Sequence, residues 1–419
     1  MNEKPLQYSS LKSVILFLEP SFRLHLSCRL PSIRTAEKGT PLKIDILRFE
    51  DNTIIVNDTE YQLSVYRKYH VERPPIEVSG TVLHDFDEYG FKIRVINDLL
   101  LGDVRISTPP EIRVIDSDSE KWRNFINRQI VVYERKLQHL RDTQSDLGDY
   151  EERLDELRRQ LLPFEYRQNQ QKPPFDLYYQ LTIRNESTIQ RTYHIPYTAK
   201  LHNGMKKLME MLFGKRQDVW KVDYMHLDCP ILRWPMSGVL PFVRKLRIGN
   251  LKSTNMEALK SIIHSSSFPL NTLEISLIYF GDFGQLNGGF DDKTVAEAQH
   301  LTLNQFYPSK HQLVRIRNSN VFINTRIHPI EFRNLISHWL RYGRPIDTCF
   351  TFDFHDFEPN ECFEKIRNFR RVMERSERHV KLSMRNSLVL VVSKNERIVV
   401  ENGDHKKYWT VELKVVPED

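Results

Sequence analysis

The chain has 419 residues, a length that favours two to four units. Hydrophobic residues make up 40% of it and charged residues 28%, a composition that is sufficient for real cores and excludes wholesale disorder. The formal net charge is only +6, from 61 basic and 55 acidic residues that alternate along the chain, so a dedicated nucleic-acid-binding protein is disfavoured. The four cysteines are scattered, which disfavours disulfides and a cysteine-built zinc site. The apolar runs are too short for a membrane span, and the N-terminus has no signal-peptide pattern. We therefore expect a reducing location, cytoplasmic or nuclear.

Residues 1–40 predict a module of three short helices. The first ends before Pro20, and the third opens at Pro31, a position that proline tolerates well at a helix start. The apolar residues that recur along the first helix are Leu11, Val14, Ile15 and Leu18. About 40 residues is a marginal size for independent stability, so we expect this module to depend on the segment that follows or on a partner.

Residues 41–118 predict a β-rich domain. Leu42–Ile46 alternates apolar and polar side chains, Ile54–Val56 follows, and an Asn57-Asp58 turn precedes Tyr61–Tyr66. Short strands separated by turn residues are typical of a β-meander.

Residues 119–165 predict a long charged helix or a helical hairpin. One apolar residue recurs every seven positions, and Gly148 is a candidate break. The recurring residues are Ile126, Tyr133, Leu140, Leu147, Leu154 and Leu161. We expect Pro163 to close the helix and residues 169–174 to form a linker.

Two arrangements of this helix are open. It packs within its own chain, or it pairs with a second copy as a coiled coil. The second seam position is occupied by Gln144, Glu151 and Arg158, which interrupt a continuous apolar stripe and favour packing within the chain.

Residues 175–380 predict an α/β recognition domain built from repeats. A strand signature returns at Met225–Leu227, Leu246–Ile248, Leu273–Ile275 and Leu301–Leu303, with a weaker copy at Phe350–Phe352. Helical stretches follow the second copy (256–264) and precede the fifth (329–342). A strand and a helix at a period of 20 to 29 residues are typical of leucine-rich repeats, so we expect a leucine-rich-repeat-like stack.

Residues 381–419 predict a C-terminal β-meander. Strands at 388–392 and 397–401 are followed by an Asn402-Gly403 turn, which favours a hairpin with Tyr408–Val416. This element could cap the open end of the repeats. The expected fold class is therefore multi-domain α+β.

The outward side of the repeat strands is the predicted partner surface. In each signature the apolar residues face the core and the intervening residue faces outward. These intervening residues are His226, Arg247, Glu274 and Thr302. Their mixed polarity suits a protein partner, although a merely solvated face of the sheet would look the same.

No pattern in the chain predicts catalysis, a cofactor or a metal. The glycine-rich loop Gly281–Gly289 lacks the Gly-Lys-Ser/Thr ending that a phosphate loop needs, and it is interpreted as an inter-repeat loop. The clusters at His84–Glu88 and His355–Glu358 have no metal-ligand spacing and are expected to be solvated. There is no nucleophile elbow, so we expect a protein that is not an enzyme.

The N-terminal segment resembles the F-box, the helical docking module of ubiquitin-ligase adaptors. The residues that carry the resemblance are Pro5, Leu6, Leu11, Val14, Leu18, Arg23, Leu26, Pro31 and Arg34. Together with the stretches NDTEYQLSVYRKY, LPFEYRQNQQKPPF and FRNLISHWLRYGRPIDTCF, they look like the expanded nematode F-box C family. The opening order is Pro5-Leu6 where the module usually has Leu-Pro, and no tryptophan closes the motif.

The resemblance implies a non-enzymatic adaptor with two partners. A Skp-type linker subunit of a cullin-RING ligase would bind the N-terminal helices, and an unknown target protein would bind the repeats. The linker-binding residues that it implies are Pro5, Leu6, Leu11, Val14, Leu18, Leu26 and Pro31. The alternative is a repeat scaffold that binds protein without ligase coupling.

Overall fold

The protein is described by a computed structural model that covers most of the chain. The described residues are 8–70, 81–93, 98–107, 118–142, 148–185, 188–249, 256–276, 289–304, 310–324, 327–355, 358–401 and 404–418. Pro5, Leu6 and residues 281–288 of the glycine-rich loop lie outside them. The protein is a mixed α+β protein with a large mixed sheet.

The helices are α1 (Tyr8–Phe17), α2 (Pro20–Arg29), α3 (Pro31–Lys38), α4 (Glu120–Asp142), α5 (Gly148–Gln168), α6 (Leu201–Phe213), α7 (Met256–Leu259), α8 (Lys293–Ala296), α9 (Lys310–Leu313), α10 (Pro329–Tyr342) and α11 (Asn360–Arg367). The strands are β1 (Leu42–Glu50), β2 (Thr53–Val56), β3 (Thr59–Tyr69), β4 (Thr81–Val82), β5 (Val104–Arg105), β6 (Phe175–Asn185), β7 (Thr188–Pro196), β8 (Trp220–Asp228), β9 (Ile231–Leu232), β10 (Phe242–Ile248), β11 (Thr272–Ser276), β12 (His300–Asn304), β13 (Asn320–Asn324), β14 (Cys349–His355), β15 (Val372–Arg375), β16 (His379–Ser383), β17 (Leu388–Glu401) and β18 (Asp404–Pro417).

The chain divides into two compact units. The first comprises Met1–Thr59, Leu101–Pro109 and Met209–Asp419, and the second comprises Glu60–Leu100 and Pro110–Leu208. The division cuts through the segment 41–118 that the sequence suggested as one β-rich domain, because β1 pairs in parallel with β8, far along the chain. Within the described residues, no helix is both long and apolar enough to cross a bilayer.

Parallel strands in register form the centre of the first unit. β8, β10, β11, β12, β13 and β14 are neighbours in that order, each parallel to the next. One buried residue of every strand occupies the same level of the sheet. These residues are Met225, Leu246, Leu273, Leu301, Val321 and Phe350. The series includes β13, a copy that the strand signature missed.

Apolar side chains of the intervening segments cover the core face of these strands. One side of α10 is an apolar stripe that is buried, formed by Phe332, Leu335, Ile336, Trp339 and Leu340. Its Trp339 meets Phe350 of β14 edge-on, with ring centroids 4.9 Å apart. Burial of large aromatic rings in this geometry is a strong packing contribution. The α10 stripe is therefore core.

Antiparallel strands end the parallel series on the C-terminal side. β18 pairs antiparallel with β14, and β17, β16 and β15 follow in order, so the C-terminal meander continues the sheet. On the other side β1 pairs in parallel with β8, and β2 returns antiparallel to β1. The series of parallel strands is thus closed by reversed strands.

The second unit contains β3, β6 and β7 as sheet neighbours, with β4 on β3, and a hairpin of α4 and α5. The hairpin is held by Ile126, Leu137, Leu154 and Leu157, all buried. The expectation that Pro163 closes the helix is wrong, since α5 continues through it to Gln168. Proline removes one backbone hydrogen bond there, and the buried side chain of Phe164 beside it indicates that packing compensates.

Candidate protein-binding surfaces

A buried ionic cluster fixes the N-terminal helices within the first unit. Glu37 of α3 is fully buried and accepts hydrogen bonds from Arg23 of α2, at 2.9 Å, and from Arg216, which follows α6. Arg23 also donates to the backbone carbonyls of Glu37 and Thr40. Buried charges need such partners, so this cluster defines one position for the module on its unit.

A lysine adds a second link. Lys38 donates through Nζ to the carbonyls of Met211 and Leu212 at the end of α6, and its own carbonyl accepts from the backbone N–H of Gln217. Desolvation, assisted by the nearby Arg216, lowers the pKa of Lys38 to about 7. The three-helix module is thus joined to the end of α6 through a side chain and to the segment after α6 through the backbone.

The module's own core is small and leaves apolar side chains in solvent. Ile15, Leu24 and Ala36 are buried between the helices. On α1, Val14 is 48% exposed and Phe17 is 88% exposed. Phe17 is the most exposed large hydrophobic residue among those described.

The exposed residues form a row on each of two helices. Val14 and Phe17 are three residues apart on α1, and half-buried Leu11 and Leu18 lie within one turn on the same side. On α2 the residues Phe22, Leu26 and Leu30 follow one another at four-residue spacing, with Phe22 57% and Leu30 46% exposed. We call these seven residues the N-terminal apolar surface. Exposed apolar side chains that follow one another along a helix, such as Val14 with Phe17 and Phe22 with Leu30, are candidates for an interaction site.

The structure places the residues expected to bind the linker in different environments. Val14 and Pro31 are exposed, whereas Leu11, Leu18 and Leu26 are half-buried. Arg23, one of the residues that carry the resemblance, is 3% exposed and belongs to the ionic cluster. Phe17, Phe22 and Leu30 are exposed but were not among the predicted residues, although Phe17 stands three positions after Val14, a spacing that places both on one side of a helix.

The four residues predicted to bind a partner lie side by side on the strands. His226 is level with Arg247, Arg247 with Glu274, and Glu274 with Thr302. Tyr224 donates from its hydroxyl to Glu274 at 3.4 Å. We call this row, with its missed neighbours Arg48 on β1, Phe322 on β13 and Thr351 on β14, the strand row.

Members of the strand row differ in accessibility. Arg247, Glu274, Thr302 and Phe322 are half-buried, but His226 is only 7% exposed. Burial, reinforced by Arg247, lowers the pKa of His226 to about 4, so this imidazole is neutral at physiological pH. His226 is therefore a supporting residue of the row and not an open ionic contact.

The histidine–carboxylate cluster at residues 84–88 has a structural role. Asp85 is 9% exposed and accepts from the Tyr197 hydroxyl at 2.6 Å and from the backbone N–H of Leu201 at 2.7 Å. It satisfies a free N–H at the start of α6, so the expectation of a solvated cluster is wrong for this residue. In the described chain, no group of three or more His, Cys, Asp or Glu side chains is arranged to hold a metal ion.

Comparison with known proteins gives one match. Residues 200–356 match a family described as a domain of unknown function, DUF3557. The matched segment contains α6 and the whole parallel series from β8 to β14, and it is less than half of the chain. No curated protein and no solved structure matches the chain.

Proposed function

We propose that this chain is a non-enzymatic substrate-recognition adaptor of a cullin-RING ubiquitin ligase. In this function the N-terminal apolar surface binds a Skp-type linker subunit, and the strand row binds the protein to be modified. The observation that carries the proposal is an exposed apolar surface on a three-helix module that a buried ionic cluster fixes to the unit of parallel strands.

The chemistry of the N-terminal apolar surface supports a protein partner. Two aromatic and five aliphatic side chains contribute to it, and burial of such area is the main driving force of association. Phe17 is almost entirely in solvent, and an aromatic anchor of this kind is a common centre of binding energy. A module whose core is only a few side chains gains stability when a partner covers this surface.

The pattern of buried residues supports a leucine-rich-repeat-like target-binding unit. Each of the first four strand signatures is preceded, three residues earlier, by another buried apolar side chain, which gives the order L-x-x-L-x-L of that repeat class. The preceding residues are Val222, Val243, Leu270 and Ala298. Stacked repeats of this kind bind proteins across their strand face.

The ionic cluster holds the linker-binding helices in a fixed position relative to the target-binding strands. An adaptor accelerates transfer by raising the effective concentration of its target near the ligase, and a fixed geometry preserves that gain. Glu37, Arg216 and Lys38 hold the module in one position relative to the strands of the same unit. A flexible tether would not provide such a constraint.

Co-purification with the linker subunit tests the proposal. The double variant Val14→Asp with Phe17→Asp places two charges on the N-terminal apolar surface, and we expect it to lose the linker while the repeats stay folded. Leu16→Asp is the matched control. Leu16 is 52% exposed, but it lies on the opposite side of α1, so this variant should still bind.

Two results would contradict the proposal. One is linker binding that survives the double variant. The other is a chain that captures a target protein but never co-purifies with the linker, which would favour a protein-binding scaffold without ligase coupling. Mass spectrometry of the co-purified proteins distinguishes the two cases.

A further inference from the structure

The outward side of α4 carries cations and apolar residues in a seven-residue repeat. Lys121, Arg128 and Arg135 are seven residues apart, and so are Phe125 and Val132. All five are exposed, and 43% of Phe125 and 42% of Val132 are accessible. Since seven residues make nearly two helical turns, each set forms a row that advances about 10.5 Å per step.

Most of this outward side is separate from the side that packs on α5, and only at its end do Arg135 and Lys136 line a cavity together with Tyr150 of α5. The α5-facing side contains the buried residues Ile126 and Leu137. Ion pairs Arg141–Glu151 and Arg158–Glu134 flank the packed interface, with N–O distances of 2.8 and 2.9 Å. The hairpin therefore uses one stripe of α4 and leaves the other in solvent.

The cations of the outward side are not neutralised within the described chain. The ion pairs of the hairpin involve Arg123, Arg141, Arg153 and Arg158, and none of them joins Lys121, Arg128 or Arg135 to a carboxylate. Lys136 adds a further exposed cation, whose Nζ lies 5.7 Å from the centroid of the Tyr133 ring. The next position of the Lys121 series is Asp142, the last residue of α4. Lys121, Arg128 and Arg135 thus form a basic stripe along most of this helix. The alternation of acidic and basic residues in the sequence had concealed it.

The two rows correspond to positions of a coiled-coil seam. Phe125 and Val132 occupy one seam position, and Gln129 and Lys136 alternate with them at four- and three-residue steps. The cations then fall at a flanking position, where charges determine which helix is accepted as partner. A polar residue in the seam fixes register at a cost in affinity.

We propose that the outward side of α4 docks an acidic amphipathic helix of another protein. A second copy of this chain is disfavoured, because antiparallel pairing would bring Lys121, Arg128 and Arg135 against the same cations. A membrane or a nucleic acid carries the same negative charge, and the vesicle and RNA arms of the test below distinguish them from a helix. The proposal is independent of ligase coupling.

A synthetic probe tests this inference on the full chain. The probe is a fluorescent peptide of about four heptads with leucine at the seam and glutamate at the flanking positions. Its matched partner has lysine in place of every glutamate. We expect the glutamate peptide to bind, with an affinity that falls as salt rises, and the lysine peptide not to bind.

Charge reversal locates the site. Arg128→Glu with Arg135→Glu should weaken binding of the glutamate peptide by at least about tenfold. The control is Lys172→Glu with Arg385→Glu, which makes the same change in net charge at exposed positions elsewhere and should bind normally. Circular dichroism confirms that both variants keep their helices, and Phe125→Ala provides a second variant that leaves the charge unchanged.

Several outcomes would overturn the assignment. Equal binding of both peptides, or unchanged binding after charge reversal, would show that the partner of this surface is not an acidic helix. Tighter capture of phosphatidylserine vesicles or of single-stranded RNA through the same arginines would replace the helix with a lipid or nucleic acid. A concentration-dependent dimer that dissociates in Val132→Ser would identify a second copy as the occupant.

Discussion

Lys38 Nζ lies 2.9 Å from the carbonyl oxygen of Met211, so a lysine of α3 supplies a cation to the C-terminal end of α6. The end of a helix carries partial negative charge and favours a cation. Burial and the neighbouring Arg216 act against the charge, and the pKa of Lys38 falls to about 7. This residue is thus poised between two protonation states near neutral pH.

We expect stability to rise with pH because of Lys38. From about pH 7 to pH 10 the unfolded chain keeps a proton that the folded protein has lost, so the free energy of unfolding increases across this window. Below pH 7 both states hold the proton and the contribution is constant. Lys38→Met should remove this slope, up to about 1.4 kcal/mol per pH unit. Urea unfolding at several pH values measures it.

The control for this prediction is Lys43→Met, at an exposed side chain. It should leave the slope of the wild-type chain in place. A Lys38→Met protein with the same pH dependence as the wild type would contradict the assignment.

Removal of the charge on Glu37 should destabilise the first unit strongly. Glu37→Gln leaves Arg23 and Arg216 buried without their carboxylate, and breaking a buried pair in this way costs about 3 to 5 kcal/mol. Asp45→Asn, in the exposed pair with Lys43, should change stability by less than about 0.5 kcal/mol. Denaturant unfolding compares them, and similar losses for both variants would refute the structural role of the cluster.

The strand row should separate binding from stability. Arg247→Ala with Glu274→Ala removes two half-buried polar side chains, and we expect stability to change by about 0.5 kcal/mol per site while capture of the target protein weakens. Leu273→Ala, on the core side of the same sheet, should cost about 2 to 5 kcal/mol. Capture that survives in the double variant but fails when β3 is mutated would place recognition on another surface.

We expect the chain to be monomeric at micromolar concentration. α4 and α5 bury their apolar stripes against each other, which leaves no long apolar seam for a second copy. Light scattering measures the mass. A stable dimer that dissociates in the variant Leu147→Asp would show that the helices pair between chains. Residue 147 lies outside the described residues.

The strand signature predicted much of the parallel series, and local spacing explains both its success and its omission. Leu246, Leu273 and Leu301 repeat at nearly constant distance, so their strands could be recognised. Val321 follows Leu301 by only 20 residues and is preceded by Asn318, whose buried amide replaces the usual apolar side chain and donates to the Val295 and Ala298 carbonyls. A polar residue that takes a core position conceals the repeat from a search for hydrophobic patterns.

The features missed in the candidate sites depend on distant parts of the chain. β1 pairs with β8 across more than 170 intervening positions, and no local pattern specifies that pairing. Arg23 and Glu37 have charged side chains, which are normally at the surface. Their burial depends on the ion pair that Glu37 forms with Arg216, a residue far along the chain. The exposure of Phe17 also cannot be predicted from helix periodicity. The period places Phe17 on the apolar side of α1 but does not say whether another element covers that side.

The reversed direction of β18 against β14 determines where the parallel series can change in length. A unit duplicated between β11 and β12 would meet a parallel edge on either side and could pair in the existing register. A unit added after β14 would pair in parallel with β14 and antiparallel with β18, so it would take the place that β14 has now and leave β18 as the closing neighbour. Gain or loss of repeats during evolution is therefore accommodated inside the series, while the two closing elements keep their places.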